Sequence, residues 1–332
     1  MEARAYWTVE PGRGEIRTEP LDPPTPGEAL VRATRSAVSR GTELLVHRGG
    51  VPASVAARMR APFQAGDLPG PVKHGYLSVG VVEEVGGAQD RAWVGRRVFC
   101  LHPHQDRYVV PLDALTPLPD DLPDERAVLL GTLETAVNAL WDARPLYGDR
   151  VAVVGGGMVG ACVTALLGEL PLERLELVDT DPDRRALATT LGATGVAPEE
   201  AADDCDLVLH VSATQEGLRT ALELLGDEGE VVEMSWYGTT PVTLDLGADF
   251  HARRLTVRAS QVSRVSPHRA ARRDHAGRMQ VALRAAANPA LDALLAGPTP
   301  FAELPDLMDR LAAGAPGLCH VIAYPGARHT PA

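Results

Sequence analysis

The sequence of 332 residues predicts an α/β protein in which a doubly wound parallel sheet is inserted between two parts of a small β-barrel. Short alternating or β-branched runs, broken by Pro and Gly clusters, fill about the first 120 residues and are typical of an all-β barrel. From Val151 onward, apolar strands alternate with helical segments, which indicates parallel βαβ units. A last apolar run, residues 319–326, is expected to be a strand that returns to the barrel.

The elements follow in order along the chain. The barrel strands are expected at residues 29–34, 77–85 and 97–101, and segment 117–130 then changes to helical periodicity. In the inserted unit, strands and helices are expected to alternate over residues 151–155, 158–170, 174–179, 183–193, 206–212, 216–226 and 229–235. This order predicts a first barrel segment 1–122, a nucleotide-type domain 123–262 and a return segment 263–332.

Composition limits the classes of partner. The net charge of -12 disfavours a nucleic-acid binder, which usually carries a basic surface. There is no run of 18 apolar residues and no secretory pattern at the start, so neither a membrane partner nor export is expected. The four cysteines lie far apart without a CxxC pair, as in proteins of a reducing compartment. We therefore expect a cytoplasmic protein that acts on a small molecule.

A glycine-rich turn connects the first strand of the inserted unit to its first helix. It reads Gly155-Gly156-Gly157-Met158-Val159-Gly160, the GxGxxG pattern. Gly155 permits the tight turn, Gly157 lets the backbone approach a pyrophosphate, and Gly160 lets the helix pack on the strand. The helix N-terminus faces the anion. This turn predicts a Rossmann dinucleotide site that includes Met158 and Val159.

Asp179 ends the second strand of the same unit. A carboxylate at this position hydrogen-bonds the ribose hydroxyls of NAD and repels the 2′-phosphate of NADP, so NAD(H) is favoured over NADP(H). Arg184 and Arg185 follow in the next helix and are expected to point to solvent; the alternative is that they accept NADP(H). A further alternative is a turn without a ligand, with Asp179 capping that helix.

Several stretches of the chain resemble the medium-chain dehydrogenase/reductase family, over essentially its whole length. They are residues 39–43 (SRGTE), 75–82 (GYLSVGVV), 95–98 (GRRV), 131–135 (GTLET), 148–155 (GDRVAVVG) and 221–238 (ALELLGDEGEVVEMSWYG). The resemblance implies a GroES-like barrel formed from both chain ends around a Rossmann domain. It also implies an NAD(P)(H)-dependent oxidoreductase.

The zinc sites of that family do not match this sequence. The resemblance places its three catalytic zinc ligands at Arg40, Tyr76 and Gly131, and none of these residues is a zinc ligand in proteins. The four-cysteine lobe for structural zinc is missing after Val98. We therefore expect no metal, as in zinc-free members similar to alcohol dehydrogenases or quinone oxidoreductases. A different metal site, built from His102, His104 and Glu134, stays an alternative.

Without zinc, a side-chain acid or water must stabilise the developing alkoxide or enolate. The resemblance makes Tyr76, His102, Lys73 and Glu134 the candidate catalytic residues; Lys73 is the only lysine. Each has a structural alternative: a packing aromatic for Tyr76, a surface turn for His102, a solvated side chain for Lys73 and a helix cap for Glu134. The resemblance also implies further cofactor contacts from Thr135, Ser212, Trp236 and Tyr237, and a substrate pocket lined by Arg40, His104, His251 and Gln261.

These observations favour a zinc-independent oxidoreductase that moves a hydride between NAD(P)(H) and a carbonyl or secondary alcohol. Its substrate is expected to be small and polar or to contain a ring, and a pterin or tetrapyrrole side chain is consistent with the resemblance. Enoyl or quinone reduction is one alternative. A dinucleotide-binding sensor without catalysis is another.

Two further features bear on partners. Five arginines after Ser263 are expected to form the solvated face of a helix or, alternatively, to bind a phosphorylated or acidic substrate: Arg264, Arg269, Arg272, Arg273 and Arg278. Residues 255–260 (LTVRAS) are apolar and β-branched, and the resemblance implies that this edge strand pairs across a two-fold axis. A homodimer is therefore expected.

Overall fold

The computed structural model describes residues 1–326, so residues 327–332 of the expected return segment lie outside the described residues. The strands are β1 (Glu2–Glu10), β2 (Arg13–Pro20), β3 (Glu28–Val38), β4 (Ala65–Gly66), β5 (Val72–Lys73), β6 (Ser78–Val85), β7 (Arg97–Cys100), β8 (Arg107–Pro111), β9 (Thr116–Pro117), β10 (Arg150–Val154), β11 (Arg174–Val178), β12 (Thr194–Val196), β13 (Cys205–His210), β14 (Leu225–Glu233), β15 (Thr256–Ala259), β16 (Leu295–Pro300) and β17 (Cys319–Ala323).

The helices connect these strands. The α-helices are α1 (Arg40–His47), α2 (Asp124–Ala127), α3 (Leu130–Ala143), α4 (Met158–Leu167), α5 (Pro182–Leu187), α6 (Gln215–Glu223), α7 (Asp249–Ala252), α8 (His275–Ala285) and α9 (Leu304–Ala312). Short 3-10 helices cover Ala88–Trp93, Leu112–Ala114, Pro289–Leu294 and Phe301–Glu303. None of the helices described is long and apolar enough to cross a membrane.

The chain folds as two compact units, and the first is built from both of its ends. Residues 1–131 and 295–326 form this unit, and residues 132–294 form the second. The expected boundary at 262/263 therefore differs from the observed one, because residues 263–294 belong to the second unit. Arg278 of α8 explains the difference: its guanidinium is buried against Glu134 and Asn138 of α3.

The first unit contains two sheets. One has the strand order β2-β1-β5-β4, and the other has the order β16-β17-β3-β6-β7-β9 with β8 also paired to β3. Strand β17 pairs antiparallel with β3 and parallel with β16, so the late apolar run does return to the barrel. Buried side chains from both ends share one core, in which Phe301 stacks on Tyr324 at 4.7 Å between ring centroids.

The second unit is a parallel sheet of six strands in the order β12-β11-β10-β13-β14-β15. Strand β10 reads RVAVV and is buried from Val151 to Val154, as expected for a strand covered on both faces. Strand order reverses between β10 and β13. In open α/β sheets, ligands bind in the crevice at the carboxyl ends of the strands at this reversal.

Two helices differ from the sequence expectation. Helix α5 ends at Leu187, although the pattern predicted a helix to residue 193. The arginine-rich segment is not helical until His275, where the carboxylate of Asp274 accepts the Gly277 N–H at 2.7 Å and caps α8. The single helical face predicted for the five arginines is therefore wrong.

Candidate functional site

The glycine turn between β10 and α4 has the form that a bound dinucleotide requires. Gly155 has a φ of +111°, and its N–H donates to the Val178 carbonyl at 2.9 Å. A Cβ on Gly160 would lie 1.8 Å from the Gly155 carbonyl oxygen, so only glycine fits there. A Cβ on Gly157 would have no protein atom within 4 Å. The turn thus packs tightly against its own helix and leaves open space at the helix N-terminus.

Asp179 lies directly beside this turn. Its Oδ2 accepts the Gly156 N–H at 2.6 Å, its Oδ1 accepts the Asp181 N–H at 2.8 Å, and the residue is 8% exposed. Two backbone donors thus fix the carboxylate next to the glycines, where the predicted ribose contact requires it. The residues present fit a dinucleotide.

Arg184 and Arg185 do not point to solvent, as the sequence analysis expected. Arg184 Nη1 lies 3.4 Å from Asp179 Oδ2, and Arg185 Nη1 donates to the carbonyl oxygens of Asp179 and Thr180 at 2.9 and 3.0 Å. The reason is the short helix α5, which starts directly after Asp181 and turns both side chains back toward the end of β11. Arg184 therefore lies next to the carboxylate that would discriminate between NAD(H) and NADP(H), and Arg185 lies next to the backbone of the same residue.

A second group of polar side chains lies at the carboxyl ends of β13 and β14, next to the same turn. His210 Nδ1 is 2.7 Å from Glu233 Oε2, and His210 Nε2 is 2.7 Å from Ser212 Oγ. A Cβ on Gly155 would lie 2.7 Å from the Ser212 backbone nitrogen, so Ser212 packs against the glycine turn. We call Ser212, His210 and Glu233 the switch-point triad.

Further hydrogen bonds hold the acid of this triad. Glu233 Oε1 accepts the Ser235 N–H at 2.7 Å, and Glu233 Oε2 accepts the Tyr237 hydroxyl at 2.9 Å. Burial works to raise the pKa of Glu233, but hydrogen bonds from His210 and Ser235 hold it below its ordinary value. Burial and the neighbouring Glu233 carboxylate raise the pKa of Tyr237. The cluster therefore holds a carboxylate and a neutral phenol.

Sequence reasoning named Ser212 and Tyr237 as cofactor contacts but missed His210 and Glu233. A signal was present in the sequence. His210 and Ser212 are two residues apart at the end of one predicted strand, and Glu233 is at the end of the next. In parallel strands that are neighbours, such residues meet at one edge of the sheet.

The positions that the resemblance assigns to zinc ligands are close together in the first unit but carry the wrong side chains. The Tyr76 hydroxyl donates to Ser39 Oγ at 2.5 Å, next to Arg40, and the Tyr76 carbonyl oxygen lies 3.5 Å from where a Gly131 Cβ would be. Burial raises the pKa of Tyr76 to about 12, so the phenol stays protonated at neutral pH. Within residues 1–326, no three His, Cys, Asp or Glu side chains are grouped to hold a metal ion. This donor set does not fit zinc.

His102 is buried in an aromatic stack and is not in a surface turn. Its ring lies 3.8 Å from the ring of Tyr108, with 9° between their planes, and 5.6 Å from the ring of Phe63. Its Nδ1 is 3.0 Å from the Pro103 carbonyl oxygen. Burial lowers the pKa of His102 to about 3, so the imidazole is neutral at physiological pH. A neutral ring that is stacked on two aromatic side chains favours a packing role for His102 over the predicted role as a proton donor.

Lys73 is neither a solvated side chain nor directed at open space. Its ammonium pairs with Glu19, donates to Gln105 Oε1 at 2.8 Å, and lies 5.7 Å from the ring of Trp7. The sole lysine thus ties β5 to strands of the smaller sheet. The Lys73 ammonium, a candidate for substrate binding from the sequence, is therefore already bound by these three partners.

Glu134 lies in a buried ion pair and does not cap α3. Its Oε1 accepts from Arg278 Nε at 3.0 Å and from Arg278 Nη2 at 2.9 Å, and the two side chains are 5% and 1% exposed. Burial raises the pKa of Glu134, and the guanidinium opposes this rise. Arg278 is thus the exception among the five arginines: the other four are exposed.

The remaining predicted site residues fall in different places. Arg40 Nη1 donates to the Gly317 carbonyl oxygen at 3.1 Å, and His104 is buried between Glu43 and Ser36. His251 and Gln261 are exposed in the second unit. Thr135 lies in α3 and Trp236 follows β14, both half-buried.

The chain is similar in sequence to known dehydrogenases. (R,R)-Butanediol dehydrogenase of Bacillus subtilis is 24% identical over 295 residues, which cover 77% of this chain and 82% of that protein. An L-threonine 3-dehydrogenase of Anaeromyxobacter sp. is 26% identical over 190 residues, or 48% of this chain and 55% of that protein. No family model matches the chain.

The fold matches solved structures over nearly the whole chain. L-Idonate 5-dehydrogenase of Escherichia coli has a TM-score of 0.79 at 15% identity, covering 97% of this chain and 98% of that one. A zinc-binding dehydrogenase from Sinorhizobium meliloti, bound to NADP, has a TM-score of 0.78 at 18% identity, covering 97% and 99%. Together these solved structures show that the chain has the fold of these dehydrogenases.

The solved structures with a similar α/β architecture include complexes with either cofactor. The S. meliloti structure holds NADP, and an alcohol dehydrogenase of E. coli with a TM-score of 0.75 holds NADH. The sequence relatives compared above are a butanediol dehydrogenase and a threonine dehydrogenase. At the positions that the resemblance assigns to catalytic zinc ligands, this chain carries Arg40, Tyr76 and Gly131.

Proposed function

We propose that the protein is a zinc-independent, NAD(H)-dependent dehydrogenase that interconverts a secondary alcohol and its carbonyl compound. The observation that carries this proposal is the carboxylate of Asp179, fixed by the Gly156 N–H beside a glycine turn with open space at Gly157. That arrangement suits a dinucleotide with free ribose hydroxyls. The named activities of the sequence relatives, butanediol and threonine dehydrogenases, support an alcohol or polyol as substrate class.

The residues of the second unit would hold the cofactor as follows. Gly157 and the N-terminus of α4 would face the pyrophosphate, and Asp179 would accept hydrogen bonds from the adenosine ribose. Bound NAD supplies the hydride acceptor. The carboxylate disfavours a 2′-phosphate by like-charge repulsion, while Arg184, at 3.4 Å from Oδ2, offsets part of that repulsion. We expect a preference for NAD(H) that is moderate for this reason.

Zinc independence is supported by the chemistry of the donor set. Zinc in proteins takes thiolate, imidazole or carboxylate ligands. A guanidinium, a protonated phenol and a glycine stand at the three positions that the resemblance assigns to the catalytic zinc ligands. The charge that develops on the substrate oxygen must then be stabilised by protein hydrogen bonds. We propose a small polar or ring-containing substrate, with a pterin ketone or a tetrapyrrole hydroxyethyl group as two ring classes to test.

The proposal predicts how metal-stripped protein binds cofactor. After treatment with a chelator, NADH should bind about ten-fold more tightly than NADPH, a difference of ~1.4 kcal/mol, and alcohol oxidation should continue. Fluorescence titration with each cofactor measures this. In Asp179→Ser the preference should reverse, because Arg184 and Arg185 then face a 2′-phosphate without the opposing carboxylate.

Asp181→Asn is the matched control for Asp179→Ser. Asp181 also lies near Arg184, at 3.4 Å, but it caps α5, and asparagine caps helices equally well. The ratio of the NADPH and NADH dissociation constants should stay within two-fold of the wild-type ratio, a free-energy change of at most about RT ln 2. Loss of turnover on chelation that zinc restores would contradict zinc independence. Absence of binding by either cofactor would leave a repurposed fold.

The edge strand of the parallel sheet is the proposed dimer interface. Strand β15 is at the end of the described sheet order, and Val257 on it is 38% exposed. An open, apolar strand edge can pair with the same strand of a second copy. Light scattering should give about 70 kDa, twice the 35.2 kDa of the chain. Val257→Lys should shift the mass to the monomer, while Val94→Lys, a change at an exposed valine of the first unit, should not. A monomeric wild type would disprove the interface.

A further inference from the structure

We propose that Ser212, His210 and Glu233 form a proton relay, in which Ser212 takes the hydroxyl proton of the alcohol substrate and passes its own to His210. This inference rests on the proposed function. The triad lies entirely within the second unit, at the strand reversal where Ser212 packs against the glycine turn. It would supply the acid–base chemistry that the zinc-ligand positions cannot.

The directions of the hydrogen bonds follow from the chemistry of the three groups. The Glu233 carboxylate only accepts, so His210 Nδ1 carries the hydrogen in the 2.7 Å contact between them. His210 Nε2 is then an acceptor and takes the Ser212 hydroxyl hydrogen across 2.7 Å. Thr214 Oγ1 lies 2.9 Å from Ser212 Oγ, and it accepts the Gly217 N–H as the N-cap of α6. Thr214 can therefore donate its hydroxyl hydrogen to Ser212 Oγ. The hydrogen bonds from Thr214 through Ser212 and His210 to Glu233 then all run in the same direction.

The shape of the site preserves this line of contacts. A Cβ on Gly217 would lie 2.1 Å from Ser212 Oγ and 2.8 Å from His210 Nε2, so the glycine makes room for the pair. His210 is fully buried, whereas Ser212 is half-buried and Thr214 is exposed. The relay thus runs from a buried acid to the hydroxyl of a half-buried residue, where the proposal places the substrate.

A second Ser–His–Glu arrangement in the barrel shows what this accessibility adds. Ser36 Oγ is 2.7 Å from His104 Nδ1, and His104 Nε2 is 2.9 Å from Glu43 Oε2. All three residues are buried, and Ser36 Oγ is also 2.9 Å from the hydroxyl of the buried Tyr324. That network joins β3, α1 and the strand β17 region inside the core. It has no exposed end, so we assign it a structural role.

The proposed oxidation of a secondary alcohol balances in atoms and electrons when NAD, the cofactor of the proposed function, accepts the hydride. When a secondary alcohol is oxidised, its C–H bond breaks and the hydride leaves with the electron pair to NAD. The O–H proton passes to Ser212 Oγ while the Ser212 proton passes to His210 Nε2, and the C–O bond becomes a carbonyl. The imidazolium that forms is stabilised by Glu233. Ser212 is the catalytic residue, and His210 and Glu233 act through it.

Substitution of His210 tests the relay on full-length protein. His210→Gln should lower kcat for alcohol oxidation by about 10²–10³-fold, the usual contribution of a general base. If His210→Gln does not fold, Ser212→Ala, which cuts the relay at its accessible end, carries the test.

Glu233→Gln separates positioning from packing. We expect kcat to fall by roughly ten-fold, because the imidazolium formed on proton transfer loses its anionic neighbour. Tyr237 also faces this pair, and its phenol stays protonated at neutral pH. Glu230→Gln is the matched control. It removes a carboxylate of the same strand that pairs with Arg258 instead, and kcat should stay within two-fold.

Nitrogen-15 NMR of the histidine rings gives a readout that needs neither cofactor nor turnover. In cofactor-free wild type, His210 should be protonated at Nδ1 and unprotonated at Nε2 near neutral pH, and the Glu233→Gln variant should lose this preference. A ring protonated at Nε2 in the wild type would overturn the relay, as would a His210→Gln enzyme whose kcat stays within three-fold of the wild type. Failure of the wild type to bind NADH would instead overturn the proposed function, and the role of the relay with it.

Discussion

Replacing Arg278 by methionine should lower the free energy of unfolding by about 3–5 kcal/mol, the usual loss when one partner of a buried ion pair is removed. The change leaves the Glu134 carboxylate without its two hydrogen bonds in a site where the side chain is 5% exposed. Urea unfolding of the wild type and the variant, followed by circular dichroism, measures the difference.

The loss should depend on pH in a defined direction. Without Arg278, burial outweighs the remaining influence of His275, so the pKa of Glu134 is raised in the folded variant above its value in the unfolded chain. The folded variant then binds more protons than the unfolded chain, so its stability rises as the pH falls toward the unfolded pKa. The difference in the free energy of unfolding between the wild type and the variant should therefore narrow as the pH falls over this range.

Two controls isolate the buried pair. Replacing both partners, Arg278→Met with Glu134→Leu, should recover most of the loss, because no unpaired charge stays buried. Arg272→Met changes an exposed arginine from the same stretch and should alter stability by less than about 0.5 kcal/mol. A loss below about 1 kcal/mol in Arg278→Met would mean that Glu134 finds water or another donor.

Alanine at Gly160 should lower stability whereas alanine at Gly157 should not, yet both changes should weaken cofactor binding. In Gly160→Ala the new methyl would lie 1.8 Å from the Gly155 carbonyl oxygen, so the strand and helix must separate. We expect a loss of about 1–3 kcal/mol in stability, as for other overpacked sites. NADH binding should fall below detection because the turn changes shape.

In Gly157→Ala, no protein atom lies within 4 Å of the new methyl. The melting temperature should stay within a degree or two, yet the Kd for NADH should rise by about 100-fold, or ~2.7 kcal/mol, because the methyl fills the space of the phosphate. Gly41→Ala is the control, since its Cβ also meets no atom and it lies in the barrel unit. Unchanged NADH affinity in Gly157→Ala would mean that the cofactor lies elsewhere.

The predictable part of the site is the part encoded over short sequence distances. The glycine turn, α4 and Asp179 form one βαβ unit, and each glycine has a local steric reason that residue types reveal. The order of elements in the second unit follows from the same alternation. The structure confirms the strand–turn–helix at Gly155–Gly160 and the alternation of strands and helices, although α5 ends at Leu187 instead of residue 193 and β12 was not predicted.

The surroundings of the charged side chains could not be predicted in the same way. Lys73 pairs with Glu19, and Glu134 pairs with Arg278, across 54 and 144 residues of sequence. Nothing in the local pattern around either residue indicates a partner so distant. His102 likewise looked like part of a polar turn because Phe63 and Tyr108, which enclose its ring, come from other segments. Contacts with residues that are distant in sequence therefore determine whether the side chains of Lys73, Glu134 and His102 are available to react.

The position of β17 has a consequence for how the protein is made. The second half of β3 has β17 as its antiparallel partner, from Arg35 opposite Ala323 to Val38 opposite His320. On the ribosome, this edge of β3 stays open while almost the whole described chain is synthesised. The second unit is continuous in sequence and has all of its strands earlier. The nascent chain therefore exposes an unpaired sheet edge for most of its synthesis, which is where a chaperone would have to protect it.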